Sequence, residues 1–414
     1  MKLLFIHQNL SAQFKHLIAT YAQDPKNQVV GICQDYAPMV SDPAFSRVIK
    51  RVYSPSRKPT PGIHHYVHSF EKAVLNGQAV AKELHTLKTQ GFIPDIAIAH
   101  PGWGESLYFK DIFPTPPLVA YTEFFYHAKG VDADFDPEFP ITQDDELRIR
   151  TRNAINLLGL EGADICVSPT KWQKQLFPQA YQSKIRVIHE GIDTDQAAPD
   201  PSASFRLPNG KLITKDMEVL TFTARSLEPY RGFHIFMRAL EKILSRRPNC
   251  QVLITGGDDV SYGRRLPVGQ TYRENLLNEV NIDGSRVHFL GEVPYATHLK
   301  LLQISSAHVY FTYPFVLSWS MMEAMAAECV VIASDTAPVR EIIQDRKNGL
   351  LVDFFSVDGL VDTVDEVFSH KTRMRNLGLQ ARKHIVKNYP VKSSLKGYAE
   401  LFSELLTSKT ALAS

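Results

Sequence analysis

Along the first half of the chain, short apolar runs alternate with longer stretches whose apolar positions recur at helical spacing. Segments 3–7, 29–33, 95–99, 118–121, 164–168 and 186–189 read as strands, and 11–21, 65–90, 144–160 and 169–176 as helices. In 65–90 the residues Val67, Phe70, Val74, Ala81, Leu84 and Leu87 share one face. The second half repeats the alternation, with strands at 219–224, 251–255, 287–290, 308–312 and 330–333. Helices there are expected at 233–245, 273–280, 295–303, 320–327 and 339–344. Strands that are apolar on both faces, separated by amphipathic helices, predict parallel sheets covered on both sides. Two such runs predict an α/β chain of two doubly wound Rossmann-like domains facing each other across a cleft. The expected division is 1–193 and 194–387, with a polar, proline-rich linker at 191–208. The tail, 388–414, lies outside the alternation and reads as helical over 391–406.

Composition narrows the class. The 414 residues include 46 basic and 44 acidic ones, a net charge of +2, which gives no chain-wide footprint for nucleic acid. The four cysteines (Cys33, Cys166, Cys250 and Cys329) lie in or beside apolar runs without a CxxC pair, and read as small core residues in a reducing compartment. No stretch of 18 apolar residues occurs, so no transmembrane helix is expected. The first residues are too short an apolar segment for a signal peptide. A cytoplasmic protein is implied, with weak peripheral contact to a membrane surface left open.

In doubly wound sheets, ligands bind beyond the carboxyl ends of strands. Arg225 directly follows the strand 219–224, Arg231 comes six residues later, and Gly232 opens the next helix. Two guanidiniums and a helix N-terminus can converge on a diphosphate. The alternative reading of the pair is two solvated surface arginines. Further on, Ser318, Trp319 and Ser320 open a helix that carries Glu323. Their N–H groups can meet phosphate oxygens, and a carboxylate at that end of a helix can take both hydroxyls of a ribose. The strand 251–255 ends in Gly256-Gly257, and the loop Gly256-Gly257-Asp258-Asp259 reads as a turn near the donor rather than a cation site. The loop 258–270, with Arg264 and Arg265, reads as a cover for a nucleotide or as a solvated insertion. His100 ends the strand 95–99 and is followed by Gly102, Trp103 and Gly104, a sugar-facing loop or a capped helix start around a packed tryptophan. His64, His65 and His68 have zinc-like spacing, but without a second ligand set they read as a solvated helix start, and no metal site is expected. There is no GxSxG, HExxH or GxxxxGK[ST].

The segments Ala224-Arg225 through Pro229-Tyr230-Arg231-Gly232, Gly256-Gly257, Phe289 to Val293, Glu323 to Ala326 and Ile332 to Ser334 resemble glycosyltransferase family 4 in order and spacing. In the first half, His7-Gln8-Asn9, Gln13-Phe14, Asp95 to Gly104 and Ile188 to Asp193 resemble that family's acceptor domain. The resemblance implies the GT-B fold, an acceptor side in 1–193, a donor side in 194–387 and a C-terminal helix (388–414) packed back on the first domain. It implies a retaining, metal-independent glycosyltransferase without cofactor, taking a UDP- or GDP-sugar to a glycan or lipid-linked acceptor in polysaccharide or glycolipid synthesis. Arg225 matches the family's diphosphate arginine, Arg231 stands where lysine is usual, Glu323 matches the ribose-holding glutamate, and Val293 would offer its backbone to the base. Asn9, Gln13, His100 and Glu123 fall on the acceptor or sugar side.

Three positions depart from the pattern. Phe315 stands where a glutamate usually contacts the transferred sugar, so that contact is expected from Ser318, Ser320 or Glu123. The loop from Asn9 to Gln13 lacks glycine, and Thr122-Glu123 replaces a histidine, with His127 further on. Two other readings stay open: a nucleotide-sugar epimerase on the same scaffold, and a non-catalytic nucleotide-sugar binder.

Overall fold

The computed structural model describes residues 1–10, 12–34 and 43–413, with side chains through residue 407. Ser11, expected to start the first helix, lies outside the described residues; that helix runs over Lys15–Gln23. The chain forms two compact units, one of residues 1–134, 140–191 and 391–414, the other of 135–139 and 192–390.

The first unit holds β1 (Lys2–Ile6), β2 (Gln28–Gln34), β3 (Ile49–Tyr53), β4 (Ile96–Ala99), β5 (Leu118–Tyr121), β6 (Ile165–Ser168) and β7 (Ile185–Val187). They form one sheet in the order β3-β2-β1-β4-β5-β6-β7, with every pairing parallel. The second unit holds β8 (Ser204–Arg206), β9 (Leu212–Thr214), β10 (Val219–Ser226), β11 (Gln251–Gly257), β12 (Val287–Phe289), β13 (Ala307–Tyr310), β14 (Val330–Ser334) and β15 (Leu350–Val352). Its parallel sheet runs β12-β11-β10-β13-β14-β15, and β8 pairs antiparallel with β9. Strand order reverses between β1 and β4 in one sheet and between β10 and β13 in the other. Loops leaving adjacent strands there turn to opposite faces and open a crevice at the carboxyl ends.

Central strands are buried on both faces, as their unbroken apolar sequences require: Leu3, Leu4, Phe5 and Ile6 of β1 are fully buried. The edge strand β3, unexpected from sequence, carries Lys50 and Arg51 between apolar neighbours and is half exposed. β8 falls inside the expected linker, 191–208, and pairs with β9 beyond it through a turn at Gly210 with φ +87°. The expected helix 144–160 is two helices, Gln143–Arg152 and Ala154–Gly162. They break at Asn153, whose side chain bonds both the N–H (3.0 Å) and the carbonyl (2.7 Å) of Tyr126.

Two details of the expected division shift for physical reasons: the C-terminal helix on the first unit starts at 391 rather than 388, and residues 135–139 fall in the second unit. The helix Val391–Ala413 belongs to the first unit, where Tyr398, Leu401 and Phe402 join the core under β1 and β2. It starts at Val391 because the preceding helix, Lys371–Asn388, packs in the second unit. Residues 135–139 also belong to the second unit. Phe135 packs on Tyr313, Phe354 and Phe355, and Glu138 pairs with Arg238 at 2.7 Å. Asp136 accepts a hydrogen bond from the Tyr313 hydroxyl at 2.6 Å.

Candidate active site

In the second unit Arg225 and Gly256 lie in the last residues of β10 and β11, which run on past the expected ends at 224 and 255, Arg231 follows β10, Val293 follows β12, and Ser318 to Glu323 follow β13. After β10 the chain makes a short 3-10 turn, Pro229–Arg231, and enters the helix Phe233–Arg246 through Gly232. Gly232 has φ +66°, and a Cβ there would lie 2.3 Å from the Phe311 Cβ, so only glycine fits. This turn points Arg231 inward. Its guanidinium donates to the Thr312 hydroxyl (3.0 Å), the Val316 carbonyl (3.0 Å) and the Tyr310 hydroxyl (3.3 Å). Among the described residues no carboxylate pairs with it, although its side chain is buried. Burial opposes the charge, but the Tyr310 and Tyr262 hydroxyls and the Glu228 carboxylate outweigh that and raise its pKa.

The Tyr310 hydroxyl also accepts the Ser318 N–H at 2.7 Å, and so links Arg231 to the start of the helix Trp319–Ala326. Ser318 caps that helix, its hydroxyl 2.9 Å from that of Ser320 and accepting the Ser320 N–H. Trp319 is half-buried against the helix's own core cluster. Glu323, one turn on, is buried and held at both oxygens: the Tyr295 hydroxyl donates to one at 2.9 Å, and His298 Nε2 lies 2.9 Å from the other. Arg225 is exposed, with no side-chain hydrogen bond or ion pair among the described residues. Gly256 has φ +148°, and a Cβ there would lie 2.7 Å from the Ala224 carbonyl oxygen, which brings the ends of β10 and β11 together. Val293 is half-buried beside the small core of the β8–β9 hairpin.

Phe315 is buried in an aromatic group with Tyr230 (5.5 Å) and Tyr262 (4.9 Å), its ring 5.9 Å from the Arg231 guanidinium. Tyr262 comes from the loop 258–270. That loop is anchored by Glu228, a fully buried carboxylate that accepts N–H groups of Ser261 (3.3 Å), Tyr262 (3.1 Å) and Gly263 (2.8 Å). Burial pushes the Glu228 carboxyl up, and these three N–H groups pull it back in part. Nothing in the sequence marked Glu228 as an anchor, because the segment it holds is more than thirty residues away.

In the first unit, Gln13, Glu123 and His100 converge at the ends of β1, β4 and β5. Gln13 Nε2 donates to Glu123 at 2.7 Å, and His100 Nε2 lies 3.6 Å from the other Glu123 oxygen. Burial alone would raise the Glu123 carboxyl; His100 and Gln13 outweigh it and hold the carboxyl below its ordinary value. His100 stacks on Trp103 at 4.2 Å, and its Nδ1 accepts the Gly102 N–H at 3.1 Å. His7 packs edge-on against both rings, its Nδ1 accepting the Asn9 N–H at 2.7 Å. Burial, reinforced by His100, drives His7 down to about 3, so it is neutral at ordinary pH. Asn9 thus enters the set through its backbone N–H, while His127 points elsewhere, its Nε2 2.8 Å from the Leu176 carbonyl.

Among the described residues, one group could bring three ligand atoms to a cation: Asp136, Glu138 and His234. Glu138 is already held by Arg238 through both oxygens, and Asp136 by Tyr313. His65 instead lies 2.9 Å from Asp144 and stacks on His64.

Both halves match families of known proteins. The family described as "Glycosyl transferase family 4 group" matches residues 25–197, and "Glycosyl transferases group 1" matches residues 208–384. A GDP-mannose-dependent alpha-(1-6)-phosphatidylinositol monomannoside mannosyltransferase of Mycolicibacterium smegmatis is 24% identical over 61% of this chain and 65% of its own length. A phosphatidyl-myo-inositol mannosyltransferase of the same organism is 27% identical over 52% of this chain and 60% of its own. The matched region therefore falls short of two thirds of either relative. Sucrose-phosphate synthase from Thermosynechococcus elongatus superposes with a TM-score of 0.75 at 16% identity, over 99% of this chain and 100% of that one. Anabaena HepE, solved with UDP-glucose, gives 0.67 at 17% identity over 98% and 100%. These likenesses are of fold, and the fold is GT-B. With a family match over each half and the paired doubly wound units in place, the chain belongs to the family 4, group 1 glycosyltransferases.

Proposed function

We propose that the protein transfers a sugar from a nucleoside diphosphate sugar to a glycan or lipid-linked acceptor, with retention and without a metal. The observation that carries this is Arg231, a buried, charged guanidinium that makes no direct ion pair with a carboxylate among the described residues, Glu228 acting on it only from a distance. A buried cation is stable only when paired and hydrogen-bonded. Here neutral oxygens of Tyr310, Thr312 and Val316 hold it in place, and a diphosphate would supply a direct counter-ion. Arg225 at the exposed rim and the N–H groups around Ser318 to Ser320 would meet the same phosphates. Glu323, fixed by Tyr295 and His298, would accept the ribose hydroxyls. Gly256 and Val293 would border the rest of the nucleotide, and the exposed face of Trp319 the sugar.

In this mechanism the acceptor oxygen attacks the anomeric carbon on the face the leaving group departs from. The glycosidic C–O bond breaks, the new one forms, and the acceptor proton passes to the leaving phosphate oxygen. Arg225 and Arg231 stabilise the charge that builds on that oxygen. The UDP- and GDP-sugar donors named for the relatives and structural neighbours support this donor class without fixing base or sugar. On the acceptor side we assign Asn9, Gln13, His100 and Glu123. Family membership and the buried Arg231 favour this over an epimerase. Thermal unfolding with a panel of UDP- and GDP-sugars tests it: a true donor raises the midpoint, and no shift with any would refute it. Phe315 favours a second reading, a binder that does not transfer. Donor binding without sugar transfer to any acceptor or to water would establish that reading.

A further inference from the structure

The first unit contains a pocket of about 210 Å³ that His100, Glu123 and Trp103 share with Lys72, Asn76 and Arg152. A cavity of about 150 Å³ accepts a benzene ring, so this one has room for a single six-membered ring with a substituent. Its polar lining is unfinished. Asn76 is fully buried and gives its amide N–H to the Trp103 carbonyl at 3.0 Å, while its Oδ1 has no partner. His100 Nε2 is likewise buried without a hydrogen bond. Lys72 and Arg152 line the pocket, exposed, and neither pairs with a carboxylate among the described residues. The Arg152 guanidinium lies over the Tyr126 ring, 3.8 Å from its centroid, a contact that positions it without neutralising it. A second pocket, about 440 Å³, shares Lys72 and Asn76 and adds Lys58.

Two cations against one carboxylate leave this lining with surplus positive charge. A neutral sugar would use Glu123, His100 and Asn76 and leave Lys72 and Arg152 idle. A ring that carries phosphate uses all five. Resting on the assignment of this unit to the acceptor, we infer that the acceptor is a phosphate-bearing ring. Its hydroxyls bond to Glu123, His100 and Asn76, its face meets Trp103, and its phosphate lies between Lys72 and Arg152. Arginine gives a phosphate paired donors, and lysine adds a point charge.

The test is calorimetric titration of the full chain, with a bound nucleotide sugar, using glucose 6-phosphate, glucose 1-phosphate, inorganic phosphate and glucose. Vesicles with and without phosphatidylinositol form a second arm, which separates a lipid headgroup from a soluble phosphosugar. At least one phosphorylated ring should bind tighter than both glucose and inorganic phosphate. Lys72→Gln and Arg152→Gln should each weaken it about tenfold, the loss of one charge-assisted bond. Lys72 is exposed and makes no ion pair among the described residues, so Lys72→Gln should leave unliganded stability unchanged; Arg152→Gln loses only the Tyr126 contact, and nucleotide-sugar binding should persist in both. If phosphorylated and neutral rings bind alike, if no phosphate-bearing probe binds, or if neither variant loses affinity, the inference is wrong. Because donor binding is read on the same samples, that failure is distinct from failure of the proposed transfer reaction.

Discussion

Arg231 donates to the Val316 carbonyl at 3.0 Å from a buried position where, among the described residues, no carboxylate makes a direct ion pair with it. The same guanidinium reaches Tyr310, whose hydroxyl holds the Ser318 N–H at 2.7 Å. One hydroxyl thus fixes the spacing between a cation and a helix start, the two kinds of group that recognise phosphate.

Charge and hydrogen bonding at Arg231 can be separated by substitution. Arg231→Met removes both, leaving the Tyr310, Thr312 and Val316 oxygens without their donor, and should cost about 2 kcal/mol or more in stability. Arg231→Lys keeps the charge, as the family's usual lysine does, and should retain far more turnover than Met. Steady-state kinetics beside denaturant melts check this. Equal activity of the two variants would contradict the charge assignment.

Arg225 offers the cleaner kinetic test, because its side chain makes no contact that the fold needs. Arg225→Ala should leave the unfolding midpoint unchanged and lower turnover by on the order of 100-fold. Unchanged kcat/KM would remove Arg225 from the site.

Glu228 anchors the loop 258–270 through N–H groups of Ser261, Tyr262 and Gly263. In Glu228→Ala the loop should detach, and trypsin should cut after the exposed Arg264 or Arg265 several-fold faster than in the wild type. Tyr262 would also leave the ring of Phe315. Mass spectrometry of limited digests reads the outcome, and an unchanged digest rate would show that the anchor is unnecessary.

His308 predicts a pH effect. It is fully buried, with Nδ1 2.9 Å from the Thr221 hydroxyl, and burial holds it down at about 3. An unfolded histidine takes a proton near pH 6.5, whereas the folded one stays neutral until about 3. Stability from this group is therefore complete above the unfolded value and falls with acidity through that window, by about 1.4 kcal/mol per pH unit. His308→Asn should flatten the decline by that slope in urea melts between pH 6 and pH 4.

Much of this was legible in the sequence because both sheets are parallel and buried, so their strands stand out as apolar runs. The carboxyl ends of β10 and β13 could be placed from those runs, and Arg225, Arg231, Ser318 and Glu323 with them. What stayed hidden depends on partners far along the chain. Lys50 and Arg51 disguise β3, since an edge strand need not be apolar on both faces. Asp136 and Glu138 lie in a polar stretch with no periodicity, and their place in the second unit is set by Tyr313 and Arg238. Lys72 and Arg152 look like ordinary surface charges until the pocket with His100 and Glu123 brings them together.

On the proposed function, Arg231 and Glu323 grip one nucleoside diphosphate sugar. Titration calorimetry of the wild type, Arg231→Lys, Arg231→Met and Glu323→Ala against UDP- and GDP-sugars tests it most directly. One donor should bind the wild type and the lysine variant, with affinity at least about tenfold weaker in the methionine and alanine variants. A donor that binds all four proteins equally well would contradict it.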